Sequence, residues 1–163
     1  MGKIRYDLLM DTEIEQLKNA GKRPRLLLHV CCAPCSTACL EKLTDAFAVT
    51  CYYYNPNIEP ETEFERRCAE LSRLVSVMPL RECPSLIKGA YDHDRFAELA
   101  RGLETLPEGG ERCTRCYRLR LEETAKQAHD RGFDYFTTTL SVSPYKNAEK
   151  LNHIGRELAE AYD

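Results

Sequence analysis

Hydrophobic positions along the chain fall into short continuous runs separated by longer segments with helical spacing. Leu26–Val30 (LLLHV) and Ala48–Tyr54 (AVTCYYY) are nearly continuous apolar runs, which is typical of strands buried on both faces of a sheet. Shorter runs at Val77–Arg81 and Phe133–Thr138 predict a third and a fourth strand. The tyrosines that end the second run must alternate between the two faces, so Tyr53 is expected to lie opposite its neighbours.

Helical segments precede and separate these strands. A short helix around Thr12–Ala20 belongs to a polar entry segment, residues 1–24, which Gly21 and Pro24 close. Later helices are predicted from the N-cap residue Ser36 to about Asp45, from Pro60 onward, near Asp94–Leu103, from Cys113 to about Asp130, and over Asn147–Tyr162. Alternating strands and helices indicate an α/β fold with a mostly parallel sheet and helices on both faces, formed by residues 25–163 as a single domain.

Composition and charge exclude several classes of protein. Of the 163 residues, 43% are hydrophobic and 30% are charged, as in an ordinary globular domain, and this length supports one hydrophobic core rather than two. No apolar run reaches the roughly 20 residues of a membrane helix, and the acidic N-terminus does not resemble a signal peptide, so we expect a cytoplasmic protein without membrane contact. The net charge of −3 argues against nonspecific nucleic-acid binding, although a local basic run is formed by Arg112, Arg115, Arg118 and Arg120.

Cysteine is the residue with an unusual count, at nine. An odd number in a chain without an export signal points to metal binding or redox chemistry rather than to disulfide bonds. Cys31 and Cys32 directly follow the first strand, and Cys113 and Cys116 begin a later helix. In parallel α/β sheets, ligands bind where the carboxyl ends of strands lead into helix N-termini, so both pairs are expected at that edge.

The vicinal pair favours a metal cluster over a single metal ion. Adjacent side chains of an extended chain point in opposite directions, so Cys31 and Cys32 would strain the peptide if both bound one tetrahedral zinc. Four thiolates match the usual ligation of a [4Fe–4S] cluster, with Cys113 and Cys116 as the second pair. We interpret four other cysteines and one histidine within an apolar run as packing residues of the core. They are Cys39, Cys51, Cys68, Cys83 and His29.

Two alternative functions use the same cysteines. Cys32-Ala33-Pro34-Cys35, between a strand and a helix, is also typical of a thioredoxin-like dithiol oxidoreductase. Cys31 is surplus to that chemistry, and no antiparallel hairpin is predicted near the C-terminus. A zinc-binding α/β module without catalytic activity is the other alternative.

Four segments together resemble the QueH type of epoxyqueuosine reductase, a family of tRNA-modifying enzymes. They are LLLHVCCAPCS (Leu26–Ser36), YYNPNIEPETEFERR (Tyr53–Arg67), ERCTRCYRLRLEETAKQA (Glu111–Ala128) and GFDYFTTTLSVSPYKN (Gly132–Asn147). The resemblance implies a nucleotide-hydrolase-like (HUP or Rossmann-like) three-layer sandwich. It implies reduction of epoxyqueuosine to queuosine at the wobble position of tRNA, the last step of queuosine biosynthesis, without cobalamin. Family members also carry a further basic segment with a closely spaced cysteine pair beyond the point where this chain ends.

The resemblance also implies roles for individual residues. The ligands of a [4Fe–4S] cluster are expected to be Cys31, Cys32, Cys113 and Cys116. Cys35 is expected beside the cluster as a catalytic residue that could hold a second, mononuclear iron, and Tyr54 is a second catalytic candidate. Substrate contacts are expected from Asn55, Asn57, Arg112, Arg115 and Lys146. The reaction requires an external electron donor in addition to the tRNA substrate.

Overall fold

The two long apolar runs form the centre of a four-stranded parallel sheet. The computed structural model describes residues 2–163, which contain strands β1 (Arg25–His29), β2 (Ala48–Tyr53), β3 (Ser85–Lys88) and β4 (Tyr135–Thr138). Their order across the sheet is β3-β2-β1-β4, and every neighbouring pair runs parallel. Because β1 lies between β2 and β4 in parallel register, the carboxyl ends of these three strands meet at one edge.

Helices connect the strands and cover both faces of the sheet. They are α1 (Tyr6–Asn19), α2 (Ala33–Leu43), α3 (Glu61–Val77), α4 (His93–Ala100), α5 (Glu111–Asp130) and α6 (Ala148–Ala161), with a short 3₁₀ turn at Leu140–Val142. Within residues 2–163, no helix combines the length and the apolar character needed to cross a bilayer.

Successive side chains of β1 enter two different hydrophobic cores. Leu26 and Leu28 pack with residues of α1, α2 and α3 on one face, whereas Leu27 packs with Leu119 of α5 on the other. Because both faces of this strand are buried, polar residues do not alternate with apolar ones, which explains the continuous apolar run in the sequence. The predicted α/β fold with a parallel sheet between two helical layers is confirmed.

The tyrosine run at the end of β2 alternates between the two cores. The rings of Tyr52 and Tyr54 stack with centroids 5.9 Å apart, while the ring of Tyr53 packs against Phe64 on the opposite face at 4.9 Å. The hydroxyl of Tyr53 also donates a hydrogen bond of 2.9 Å to the main-chain oxygen of Phe64. The expected opposition of Tyr53 to its neighbours is therefore confirmed.

The predicted third strand, Val77–Arg81, is wrong. Val77 is the last residue of α3, and its side chain is 67% exposed although it is apolar. The residue before a proline is disfavoured in the helical conformation, and Met78, which precedes Pro79, is extended with φ −64° and ψ 133°. The strand instead forms at Ser85–Lys88, a half-exposed segment at the edge of the sheet. Only its two middle residues are apolar, so the sequence pattern hardly distinguishes it from a loop.

The predicted N-cap of α2 is also wrong. The helix begins at Ala33 with Pro34 in its first turn, and the extended residue Cys32 occupies the N-cap position. Proline fits the first helical turn because the amide that it lacks would have no helical partner there. Ser36 lies inside the helix, where its hydroxyl donates to the carbonyl oxygen of Ala33 at 2.6 Å.

The remaining helices differ from prediction mainly in their ends. The first helix starts at Tyr6, earlier than predicted, and its residues Ile14 and Leu17 are buried in the core. The last helix begins one residue after its N-cap residue Asn147, whose side chain accepts a hydrogen bond from the amide of Lys150 at 3.0 Å. Such end shifts leave the layer order unchanged.

A groove of about 670 Å³ runs along the free edge of β4, between α1 and α6. Its apolar wall includes Met10, Phe47 and Phe136, and no cysteine lines it. The cysteines lie instead at the carboxyl edge of the sheet, which is where ligands bind in parallel α/β folds.

Candidate metal centre

Three cysteine side chains converge where β1 leads into α2. The Sγ atoms of Cys31 and Cys32 are 3.8 Å apart, and those of Cys32 and Cys35 are 2.6 Å apart. All three Sγ atoms lie within 4.8 Å of one another. The extended conformation of Cys32 (φ −159°, ψ 159°) followed by the first turn of α2 brings Cys35 back over the vicinal pair. This group could hold a metal ion.

Ionisation of all three thiols would require a bound cation, because Cys35 keeps its proton in the metal-free group. Burial first, and then the neighbouring Cys32 and Cys31, raise the pKa of the Cys35 thiol to about 12. The N-terminus of α2 stabilises thiolates, but its partial charge is too small to allow three negative sulfurs in contact. A soft metal ion would supply the missing positive charge, because thiolate is the ligand that such ions prefer.

Thr139, directly after β4, contacts the first cysteine of the group. Its hydroxyl oxygen accepts a hydrogen bond of 3.2 Å from the amide of Cys31 and lies 3.3 Å from the Cys31 Sγ atom. Its own amide donates to the carbonyl oxygen of His29 at 3.0 Å. The threonine that follows the edge strand therefore fixes the conformation of the cysteine loop.

His29 joins the ends of three strands beneath this loop. Its Nε2 atom lies 2.9 Å from the carbonyl oxygen of Tyr54, and its Nδ1 atom lies 2.9 Å from the hydroxyl oxygen of Thr138. A carbonyl can only accept, so Nε2 carries the proton and Nδ1 accepts from the hydroxyl. Burial, and then the positive charge of Arg120, lower the pKa of His29 to about 3. The predicted core histidine is confirmed and is neutral.

Asn55 holds the peptide that precedes the cysteines. Its Nδ2 atom donates a hydrogen bond of 2.9 Å to the carbonyl oxygen of Val30, and its side chain is only 1% exposed. Its Oδ1 atom is buried without a hydrogen-bond partner among residues 2–163, and the same is true of the Oδ1 atom of Asn57. Buried acceptors of this kind are normally satisfied, so both are available to a ligand or an ordered water.

The second cysteine pair lies on the first two turns of α5. The amide of Gly109 donates to the Sγ atom of Cys113 at 3.3 Å, from a backbone with φ +83° that favours glycine. Cys113 packs against the same apolar cluster as Cys31, whereas Cys116 is buried. Cys113 and Cys116 are not part of the group formed by Cys31, Cys32 and Cys35. Within residues 2–163, neither of their Sγ atoms lies within 4.8 Å of all three of those sulfurs.

The side chains of Tyr54, Arg112 and Arg115, also predicted as site residues, have hydrogen-bond partners of their own. The buried hydroxyl of Tyr54 donates to Asp92 at 3.1 Å, and burial, followed by the charge of Asp92, raises its pKa above the ordinary value. Arg112 donates to the carbonyl oxygen of Glu104 at 3.2 Å.

Arg115 and Lys146 complete the predicted basic set. The exposed Arg115 donates to Glu111 at 3.0 Å and to the carbonyl oxygen of Leu99 at 3.3 Å. Lys146, in the loop between the 3₁₀ turn and α6, is half-buried, and its amide donates to Ser143 at 3.2 Å.

Arg120 is a site residue that the sequence pattern did not single out. The sequence places it in a basic run with Arg112, Arg115 and Arg118, but it is buried on α5, and its Nε atom donates to the carbonyl oxygen of Cys116. The available signal was its position four residues after Cys116, which places both on one face of the helix.

Comparison with known proteins identifies relatives of this chain. A family model described as "Epoxyqueuosine reductase QueH" matches residues 26–163. The protein named epoxyqueuosine reductase QueH of Staphylococcus epidermidis is 40% identical over 165 residues, which cover 99% of this chain and 69% of that protein. Proteins of the same name from Streptococcus pyogenes and Thermotoga maritima are 38% and 34% identical, over 98% and 84% of this chain and 64% and 69% of their own lengths. This chain spans about two thirds of the length of these relatives.

Proposed function

Because this chain belongs to the epoxyqueuosine reductase QueH family, we propose that it reduces epoxyqueuosine in tRNA to queuosine on an iron–sulfur centre held by its edge cysteines. The observation that carries the proposal is the convergence of Cys31, Cys32 and Cys35 at the carboxyl edge of the sheet. Because its proposed substrate is tRNA, we propose that the protein works in the cytoplasm.

The donor set fits an iron–sulfur centre. Thiolates select soft metals and iron–sulfur clusters, and [4Fe–4S] clusters are usually held by four of them. We propose the ligands Cys31, Cys32, Cys113 and Cys116. The shared packing of Cys31 and Cys113 against one apolar cluster supports this set. Cys35, in contact with Cys32, is then a fifth thiol, which we propose as the ligand of a second, mononuclear iron.

The reaction determines what the protein groups must do. Conversion of an epoxide to an alkene consumes two electrons and two protons and releases the oxygen as water. The centre, when bound, supplies electrons one at a time from an external donor and a Lewis-acidic iron for the epoxide oxygen. The protein must therefore orient the substrate, exclude water and deliver protons to the leaving oxygen.

Tyr54 is our candidate for the proton donor. A donor must keep its proton at neutral pH, which a tyrosine hydroxyl does; burial together with Asp92 raises its pKa further, so the proton would be given up only to a leaving oxygen that carries negative charge. The hydroxyl now donates to Asp92, so this role requires the substrate oxygen to replace the carboxylate as acceptor. Asp92 would then receive no proton and remain a fixed negative charge beside the donor.

The two asparagines and the basic residues are our candidates for substrate contacts. The Oδ1 atoms of Asn55 and Asn57 are buried without a partner, so they would accept hydrogen bonds from substrate hydroxyl or amine groups after a local opening of the loop that follows β2. Phosphates of the tRNA backbone would be held by the basic side chains of Arg112, Arg115 and Lys146, through contacts that weaken with salt.

A dithiol oxidoreductase using Cys32 and Cys35 is the second candidate, because their Sγ atoms are 2.6 Å apart. Such enzymes depend on a thiol whose pKa is lowered, since the thiolate is the nucleophile. The pKa of Cys35 is raised to about 12, so in such an enzyme Cys32, at the N-cap of α2, would be the attacking thiol and Cys35 the resolving one.

Metal and sulfide analysis after anaerobic purification separates the candidates. The proposal would be supported by about four irons and four sulfides for each chain, together with reduction of epoxyqueuosine in an added tRNA substrate. Zinc without sulfide would favour the zinc-binding module, and a metal-free chain that reduces disulfides would favour the dithiol enzyme.

A variant of Cys35 tests its proposed catalytic role. Cys35→Ala should keep the absorption spectrum of the cluster and lose turnover, because the four cluster ligands remain. Cys83→Ala is the matched control, since Cys83 is exposed in the loop before β3 and should keep both properties. Retained turnover in Cys35→Ala would contradict the assigned role.

A further inference from the structure

Arg120 carries a buried positive charge. Arg120 is only 5% exposed and follows Leu119 and precedes Leu121 on α5, both of which are buried. Among residues 2–163, no carboxylate lies within salt-bridge distance of its guanidinium, and its Nε atom makes one long hydrogen bond of 3.4 Å to the carbonyl oxygen of Cys116. A guanidinium has five N–H donors, so most of those of Arg120 have no partner in the protein; its terminal nitrogens are not among the fully buried unpartnered atoms and keep a small contact with solvent.

The neighbouring Arg118 shows what the same helix does with an ordinary arginine. Arg118 is exposed and pairs with Glu157 of α6. An exposed pair of this type contributes little, and breaking it costs little. A buried charge without a partner is costly because it has lost water without gaining an anion. The sequence nevertheless places an arginine at position 120, where an apolar residue would fit the surrounding core.

The guanidinium of Arg120 is hydrogen-bonded to the main chain of the second cysteine pair, at the carbonyl oxygen of Cys116. Its positive charge lowers the pKa of the buried His29, after burial itself. It also acts on Cys116, where burial raises the pKa of the thiol and Arg120 opposes that effect by charge and hydrogen bonding. His29 ends β1, two residues before Cys31, and Cys116 belongs to the second cysteine pair, so one buried charge acts close to both cysteine groups.

We propose that Arg120 is the counter-charge of the cysteine-bound centre, a positioning residue that stabilises the thiolate-ligated metal and favours its reduced form. The redox part rests on the proposed function, whereas charge compensation applies to any metal bound by thiolates. Ligation by several thiolates leaves a centre with net negative charge, and each added electron increases it. A fixed buried cation therefore favours both assembly and reduction.

The proposal predicts opposite effects of one substitution in the two forms of the protein. Without metal, Arg120→Met removes an unpartnered buried charge and should raise the melting temperature. With the centre bound, the same substitution removes its counter-charge, so metal should be lost to a chelator about 10- to 100-fold more readily. The reduction potential of a retained cluster should shift to lower values.

Two further variants separate charge from packing. Arg120→Lys keeps a positive charge and should restore most of the potential, although it loses the planar donor geometry. Arg118→Met, the matched control, should change melting temperature and potential only slightly in both forms because its pair is exposed.

Three outcomes would overturn the proposal. They are an equal loss of stability with and without metal, an Arg120→Met chain that does not fold in its metal-free form, or an unchanged potential in a fully loaded variant. Failure of the proposed function is a separate result. A chain that binds zinc and no sulfide would refute the reductase, while the opposite effects on the metal-free and loaded forms would still support Arg120 as the counter-charge.

Discussion

The Nε2 atom of His29 donates a hydrogen bond of 2.9 Å to the carbonyl oxygen of Tyr54, which ties the end of β1 to the end of β2. On the other side of the ring, Nδ1 accepts from Thr138 of β4, whose hydroxyl oxygen in turn accepts from the amide of Leu140. One neutral imidazole thus fixes the positions of three strand ends directly below the cysteine loop.

Acid should destabilise the fold through His29. The pKa of His29 falls from 6.5 to about 3 in the folded protein, so between these values the unfolded chain binds a proton that the native chain does not. The contribution is complete above pH 6.5 and is lost as the pH falls, by up to about 1.4 kcal/mol for each pH unit. Urea unfolding of the metal-free protein between pH 7 and pH 4 measures this slope. His29→Gln should reduce the slope of unfolding free energy against pH by the amount that corresponds to one bound proton. An unchanged slope would contradict the assignment.

Loss of the Asn55 amide should destabilise the cysteine loop. Asn55→Ala leaves the buried carbonyl oxygen of Val30 without its side-chain donor and should cost about 1–3 kcal/mol of unfolding free energy. Asn152→Ala is the control, because that side chain bonds only to the carbonyl oxygen of Ala148, one turn earlier in α6, and its loss should change stability by less than about 0.5 kcal/mol. Equal effects of the two substitutions would show that the Asn55 bond is not important.

Two glycine-to-alanine substitutions should have opposite signs. Gly109 has φ +83° and presents its amide to Cys113, so Gly109→Ala should cost about 1–2 kcal/mol and weaken metal retention. Gly155 lies inside α6 with open space at its Cβ position, so Gly155→Ala should add about 0.5–1 kcal/mol. Chemical denaturation and chelator competition measure both effects. A stabilising Gly109→Ala would remove the argument for the turn.

Binding of tRNA should depend on salt through the basic residues near Cys113. Arg112→Gln and Arg115→Gln should each reduce the slope of log affinity against log salt by about 1. Arg66→Gln is the control, since Arg66 lies on α3 in the other helical layer and already pairs with Glu63 and Glu70. A salt dependence that is flat in the wild-type chain would argue against phosphate contacts altogether.

The sequence predicts the strands that are buried on both faces better than the strand at the edge. Leu26–Val30 and Ala48–Tyr54 are continuous apolar runs because helices cover both faces, and both strands form there. Ser85–Lys88 is half-exposed, so its residues carry no such requirement. Val77 suggested a strand because it is apolar, but it is exposed, and single apolar residues at a surface are common.

The site shows the same division between local and tertiary information. The positions of Cys31, Cys32 and Cys35 follow from one strand and one helix start, so their meeting was predictable. The burial of Arg120 and the unpartnered oxygen of Asn55 depend on how distant elements pack, so the folded chain is needed to see them. The sequence offers only the spacing of Arg120 from Cys116 and the position of Asn55 directly after the second apolar run.

The strand order β3-β2-β1-β4 has a consequence for how the protein folds. Pairing of β1 with β4 brings together residues such as His29 and Thr138, which are 109 positions apart, whereas β1 and β2 are close neighbours along the chain. Long-range pairings of this kind form late, because closing a large loop is costly before its contacts are made. A nascent chain can therefore expose its first three cysteines well before α5 arrives. Metal capture by an incomplete thiol set is the hazard of this topology, and anaerobic co-folding with iron and sulfide is the way to avoid it.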